Sequence, residues 1–214
     1  MYLIKTPQFI QKLFPNFTWR IPTGERVLHL TFDDGPIPEV TPWVLEQLAQ
    51  HGASATFFCV GENIQKHPEV FSQILKAGHS VGNHTYHHLN GWASDNLKYF
   101  LNVRRCARQM DSNLFRPPYG RLTPRQAEFL QRHYRIVMWD VLSGDFDPHV
   151  TPEQCVSNVL KNAKPGSVVV MHDSLKAWDK LQLLLPKVLE HFASKGYSFR
   201  RLEGNTTLEE RLVA

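Results

Sequence analysis

The chain has little cysteine, with three residues at positions 59, 106 and 155 of 214 and no Cys-x-x-Cys pair. An odd, dispersed set of this kind argues against a disulfide framework. Cys59 sits inside the apolar run Thr56-Phe57-Phe58-Cys59-Val60, so the cysteines read as small hydrophobes in a reduced protein. No apolar run reaches the ~20 residues of a membrane span. Lys5, Gln8, Gln11 and Lys12 interrupt the apolar stretch of residues 1–15 and no small-residue cleavage site follows, which makes a poor signal peptide. The default expectation is a cytoplasmic protein, with non-standard export left open. Repeats, low-complexity tracts and linkers are missing too. Charge of one sign is scarce: 24 Lys and Arg against 20 Asp and Glu leave a net charge of only +4. The densest basic stretch, Arg104-Arg105-Cys106-Ala107-Arg108, has the spacing of a solvated helix face and no accompanying nucleic-acid motif, so nucleic acid is not an expected partner.

What is present is a chain able to bury a full core, with 42% hydrophobic residues in a length that suits one α/β domain. Apolar, β-branched or aromatic runs at 27–32, 56–60, 79–82, 113–115, 136–139, 167–171 and 197–199 are strand candidates, and helical patterns separate them. That alternation predicts a parallel, barrel-like sheet. Thr6-Pro7, Thr41-Pro42, Thr123-Pro124 and Thr151-Pro152 each pair a favoured N-cap with a proline suited to the first helical position. Gly52, Gly78 and Gly196 are the corresponding stops. Pro186 predicts a helix start or kink inside the apolar stretch 181–192. Residues 1–22 read as an N-terminal helical extension, 23–203 as the main domain, and 204–214 as a polar tail prone to fraying.

The chemistry concentrates at strand ends. Asp33-Asp34 closes the first strand just before Gly35-Pro36, and two adjacent carboxylates there call for a compensating cation. His84 and His88, four residues apart, can face one way on a single helical turn, which would turn His87 aside. Arg116-Pro117-Pro118-Tyr119-Gly120, Asp140 with Asp145, and His172-Asp173 complete the set. Singly, each reads as a turn, a surface pair or a cap. Together, at the C-terminal ends of parallel strands that converge on one face, they read as one site.

In these motifs, Thr31-Phe32-Asp33-Asp34-Gly35, His84-Thr85-x-x-His88, Arg116-Pro117-Pro118-Tyr119-Gly120, a weakened Leu142-Ser143-Gly144-Asp145-Phe146 and Val170-Met171-His172, the chain resembles the polysaccharide deacetylase family, carbohydrate esterase family four, over roughly residues 27–202. The resemblance implies a single-domain α/β fold, a distorted, incomplete (β/α)7-type barrel. It implies a divalent metal, most often zinc, held by Asp34, His84 and His88, with Asp33 as general base. It assigns Arg116 to orienting Asp33, the Tyr119 backbone N–H to the oxyanion, and His172, held by Asp145, to protonating the leaving amine. Two nitrogens and one oxygen suit zinc, cobalt or nickel and leave positions open.

The fourth block departs from the family. Many members carry Asp where Leu142 stands and Trp where Phe146 stands. Asp140 is the candidate replacement for the missing carboxylate beside Arg116. The expected activity is removal of acetyl groups from N-acetylated amino sugars of peptidoglycan-type glycans or chito-oligosaccharides, with Tyr119, Phe146, Trp92 and Trp178 as candidate sugar-stacking residues. The alternatives are a glycan-binding module with lost or weak catalysis and an amidohydrolase acting on a small or cyclic amide.

Overall fold

The computed structural model describes residues 2–204. In chain order the elements are α1 (Gln8–Leu13), β1 (Val27–Asp33), α2 (Thr41–Gln50), β2 (Thr56–Cys59), α3 (Gly61–Lys66), α4 (Pro68–Lys76), β3 (Ser80–Asn83), α5 (Asn96–Ala107), β4 (Leu114–Phe115), α6 (Pro124–Leu130), β5 (Arg135–Ile136), β6 (Val141–Leu142), α7 (Pro152–Asn162), β7 (Val168–His172), α8 (Trp178–Ser194) and β8 (Ser198–Phe199). Seven strands form one curled path in the order β5-β4-β3-β2-β1-β7-β6, every pair parallel, while β8 pairs with the start of β1. This is the incomplete barrel expected from the alternation of strands and helices.

Strand β1 is buried along its whole length, because both of its faces are covered. Leu28, Leu30 and Phe32 face the helices and pack with Val169, Met171, Leu184, Leu185 and Val188. Each such side chain contributes about 1.5–3 kcal/mol by leaving water. Period two then sends His29, Thr31 and Asp33 into the barrel. The interior is lined by Phe58, Leu114, Val137, Val168 and Leu202.

Capping follows the sequence in part. Thr123 and Thr151 each form a complete capping box, with Gln126 and Gln154. Thr41 instead lies inside α2, its hydroxyl taken by Asp173 and Ile37, and Thr6 donates to the Trp139 carbonyl rather than capping α1. Gly52, Gly78 and Gly196 end their helices at φ of 56°, 80° and 75°. Helix α8 starts well before Pro186 and carries it internally, held there by Leu184, Leu185, Val188 and Leu189, all fully buried. The run at 136–139 predicts one strand, but β5 ends at Ile136, and β6 lies outside the run and at two residues is too short to show a period. The expected tail lies, beyond Gly204, outside the described residues.

The N-terminal segment is less helical than expected. Only α1 is helical, and the remainder runs extended between the sheet's open edges, β5 and β6. Thr18 N–H donates to Ile136 and its carbonyl accepts from Met138, both at 2.8 Å, while Ile4 accepts from Leu142 at 2.8 Å. Unpaired edge groups cost too much to leave bare, and this strap satisfies them. Its anchor is Lys5, whose Nζ lies 2.6 Å from the buried Asp140 carboxylate. Lys5→Met would strand that carboxylate with Ser167 and Gln11 alone. Because Lys5 is partly exposed, we expect a loss of about 2 kcal/mol, less than for a fully buried pair, and a fall in melting temperature of roughly 4–8 °C. An unchanged calorimetric midpoint would show that the strap does not depend on this pair.

Candidate functional site

Asp34 follows β1 with a left-handed φ of 83°. His84 and His88 follow β3, but not on a helical turn: Thr85 and His88 also have positive φ, 62° and 52°, and the loop is irregular. Side chains hold it. Asn102 Oδ1 accepts from the Tyr86 and His87 N–H groups at 2.7 and 3.0 Å, and Asn83 Oδ1 accepts from Thr85 N–H at 2.9 Å. The two imidazoles converge through this loop, and His87 turns outward to within 3.6 Å of Glu62. Left-handed non-glycine residues cost of order 1 kcal/mol or more each, and all four in the described chain, Tyr119 at φ 60° being the last, border this site.

Asp34 Oδ1 lies 3.7 Å from His84 Nε2 and 3.2 Å from His88 Nε2, and the three ligand atoms fall within 4.8 Å of one another. That oxygen is buried and has no hydrogen-bond partner. An orphaned carboxylate oxygen facing two ring nitrogens fits a cation placed among them. His84 Nδ1 is 2.8 Å from the Arg116 carbonyl, which can only accept, so the Nε2 lone pair points at the cluster. Burial lowers the His84 pKa to about 4 and keeps the ring neutral, as a ligand must be. Burial alone would raise the Asp34 carboxyl, but the surrounding His88, His172 and His84 rings outweigh it and hold the carboxyl below its ordinary range.

Arg116 is fully buried. Its Nη1 donates to Asp33 Oδ1 at 2.6 Å and Thr31 Oγ1 at 2.7 Å, Nε to the Val137 carbonyl at 3.2 Å and Nη2 to the Met138 carbonyl at 2.9 Å. The Phe58 ring supports the guanidinium at 4.1 Å. Among the described residues Asp33 alone supplies its countercharge, since Asp140 is engaged with Lys5, Gln11 and Ser167 instead. The expectation that Asp140 replaces the carboxylate missing at Leu142 is therefore wrong. Strand β6 carries Leu142 as a wall of the cleft, while Asp140, just outside β6, is drawn to the strap.

On the opposite side His172 Nδ1 lies 2.7 Å from Asp145 Oδ1, and Asp145 Oδ2 accepts from the His172 backbone N–H at 2.8 Å. Burial works against the imidazolium, but Asp145 outweighs it and raises the ring's pKa to about 9. Asp173 has a different task. Its carboxyl accepts from Gly35 N–H at 3.1 Å and Thr41 Oγ1 at 2.6 Å, pinning the turn after Asp34, and burial pushes it up to about 8. Any Cβ at Gly35 would fall 2.0 Å from that carboxylate, so only glycine fits.

At their meeting point lies one cleft of about 380 Å³, walled by Tyr2, Trp139, Leu142, Phe146 and Tyr119 and rimmed by Arg121 and Lys176, with Arg116, Asp145 and Asp173 buried behind it. Asp33, Asp34, His84, His88 and His172 all line it. Of the four expected aromatics, Tyr119 packs edge-on to His88 at 4.7 Å and Phe146 to His172 at 5.2 Å. Trp178 does not reach the cleft: it packs edge-on to Trp43 against the core. Trp92 lies outside the lining, its indole N–H given to Leu122 and its ring under Arg121. Both tryptophans belong to helical turns whose orientation the loop sequence does not encode. Tyr2 is the residue the sequence hides; its ring meets Phe146 at 4.9 Å and its hydroxyl donates to Asp147 at 2.8 Å, and nothing in the sequence around position 2 signals this.

The sequence profile of the polysaccharide deacetylase family matches residues 20–134. A peptidoglycan-N-acetylglucosamine deacetylase of Bacillus cereus is 36% identical over 192 residues, covering 85% of this chain and 89% of that protein. A chitooligosaccharide deacetylase of Azorhizobium caulinodans is 34% identical over 163 residues, covering 72% and 77%. The crystal structure of a peptidoglycan N-acetylglucosamine deacetylase in complex with 4-naphthalen-1-yl-N-oxidanyl-benzamide superposes with a TM-score of 0.81 at 31% identity, covering 92% of this chain and 95% of the other.

The His172 pair has a signature in stability. Its folded pKa is raised above the ordinary 6.5, so the contribution is fully present below that pH and is lost as pH climbs through about 9. Asp145→Asn should therefore cost on the order of 3 kcal/mol near pH 6, with the gap to the parent protein narrowing toward pH 9 and above. Urea unfolding across this range measures it, and a gap independent of pH would remove the charge pairing.

Proposed function

The chain belongs to the polysaccharide deacetylase family, and from that premise we propose that it is a metal-dependent hydrolase that removes acetyl groups from N-acetylated amino sugars in a poly- or oligosaccharide. One observation carries the reading: the orphaned Asp34 Oδ1 faces His84 Nε2 and His88 Nε2 in the same cleft as the Arg116-bound Asp33 and the Asp145-bound His172. Asp34, His84 and His88 would hold the ion, with zinc the best match to the donor set and cobalt or nickel also accommodated. When bound, it supplies Lewis acidity toward the acetamide carbonyl and lowers the pKa of the attacking water.

The remaining chemistry falls to the chain's own side chains. Arg116 occupies Asp33 Oδ1 and orients the carboxylate, so Oδ2 is left to accept the water's proton. The backbone N–H of Tyr119, in a loop stiffened by Pro117 and Pro118, donates to the oxyanion as the carbonyl becomes tetrahedral. His172 is tied through Nδ1 to Asp145, which leaves Nε2 to protonate the sugar nitrogen as the C–N bond breaks. Acetate and a free amino sugar leave. Tyr119 and Phe146 flank the two reacting ends and offer ring faces to the glycan.

Acetate release from N-acetylglucosamine oligomers and peptidoglycan fragments, with zinc, cobalt or nickel added back to chelated protein, tests this function. We expect about one equivalent of metal per chain, a single-site stoichiometry, and no turnover without it. His84→Ala should lose metal and activity together, whereas Asp33→Asn should keep metal and lose at least about 100-fold in kcat. Full activity in metal-free protein would overturn the proposal. The alkaline limb of the rate profile should follow loss of the His172 proton, so Asp145→Asn should move that limb to lower pH without changing metal content. A limb that stays in place would assign the acid to another group.

A further inference from the structure

Two cations at the cleft have no part in the chemistry described above. Arg121 lines the metal side, two residues past the Tyr119 ring that packs on His88, with its guanidinium 5.1 Å from the Trp92 ring centroid. Lys176 lines the acid side, its Nζ 5.7 Å from the centroid of Phe146, the ring that meets His172. Both side chains are exposed, and among the described residues neither has a carboxylate within ion-pair distance. The carboxylates of the cleft face other groups, Asp33 toward Arg116, Asp145 toward His172 and Asp34 toward the His84 and His88 rings. Cations left without counter-ions on the rim of an aromatic-walled cleft raise its potential, and the rings beneath them restrict where they point.

Resting on the deacetylase reading, we propose that Arg121 and Lys176 are specificity-determining residues for an anionic glycan, one with carboxylates on the units flanking the N-acetylated sugar. The amine being released sits at His172, so the reacting sugar lies toward Phe146 and its neighbours come within reach of Lys176. Arg121 meets the substrate on the other side. A neutral oligomer fills the same cleft but leaves both cations unanswered, and forfeits their contribution to encounter and binding.

The test compares glycan-strand fragments bearing free lactyl carboxylates, the same fragments with those carboxylates amidated, and hyaluronan oligomers as a uronic-acid source. Metal-loaded protein should favour free over amidated fragments in kcat/KM, by a margin that shrinks as ionic strength rises. Lys176→Glu and Arg121→Glu should each cut that ratio about fivefold, as expected of exposed charge pairs. Hyaluronan deacetylated as fast as the lactyl fragments would support recognition of any flanking carboxylate, and inert hyaluronan would support the lactyl source. Equal rates on free and amidated fragments would overturn the inference while leaving the deacetylase reading intact. Two readouts separate the proposals: acetate released from no substrate overturns the deacetylase reading, whereas equal calorimetric affinities for the free and amidated fragments overturn this one.

Discussion

The guanidinium of Arg116 is the constraint on which the barrel's interior depends. A buried cation is tolerated only when its donors are satisfied and its charge is met, and here β1 supplies Thr31 and Asp33 while the segment joining β5 to β6 supplies two carbonyls. The same residue's own carbonyl receives His84. One side chain and one peptide group thereby set the positions of Asp33, the proposed base, and His84, a proposed metal ligand, tying three separate parts of the chain to one point. The altered fourth motif, with Leu142 and Phe146, is compatible with this because Arg116 is already matched by Asp33.

Around that point the charges are sorted into local pairs with different consequences. Asp33 is matched by Arg116 and Asp145 by His172, so each carboxylate is held in place by a fixed partner. Asp34 has only imidazoles, one of them kept neutral by burial, and is left with an unanswered oxygen. That asymmetry is the basis for the different roles proposed for the two adjacent carboxylates, Asp34 as metal ligand and Asp33 as base. The strained backbone at Asp34, Thr85, His88 and Tyr119 is the conformational cost of aiming them, and it is offset by side-chain anchors from Asn83, Asn102 and Asp173.

The N-terminal strap connects the stability of the fold to the shape of the cleft. By answering the open edges of β5 and β6 it completes a sheet that seven strands leave unclosed. It also carries Tyr2 to Phe146, so a segment with no motif of its own becomes part of the cleft wall. Lys5 and Asp140 fasten it from the side away from the chemistry.

The sequence by itself determined the parallel α/β alternation, the glycine stops, two of the four Thr-Pro caps and the convergence of Asp33, Asp34, His84, His88, Arg116, Asp145 and His172. These are legible because period-two and helical patterns are local, and because strand ends in such a sheet meet on one face whatever the loops do. Tertiary structure decided the rest. The histidine pair converges through an irregular loop rather than a helix, since Asn102 on a distant helix shapes it. Asp140 went to Lys5 and Trp178 to Trp43, because partners distant in sequence competed for them. The strap's path, and with it Tyr2, depended on unsatisfied edge hydrogen bonds that exist only once the sheet has formed.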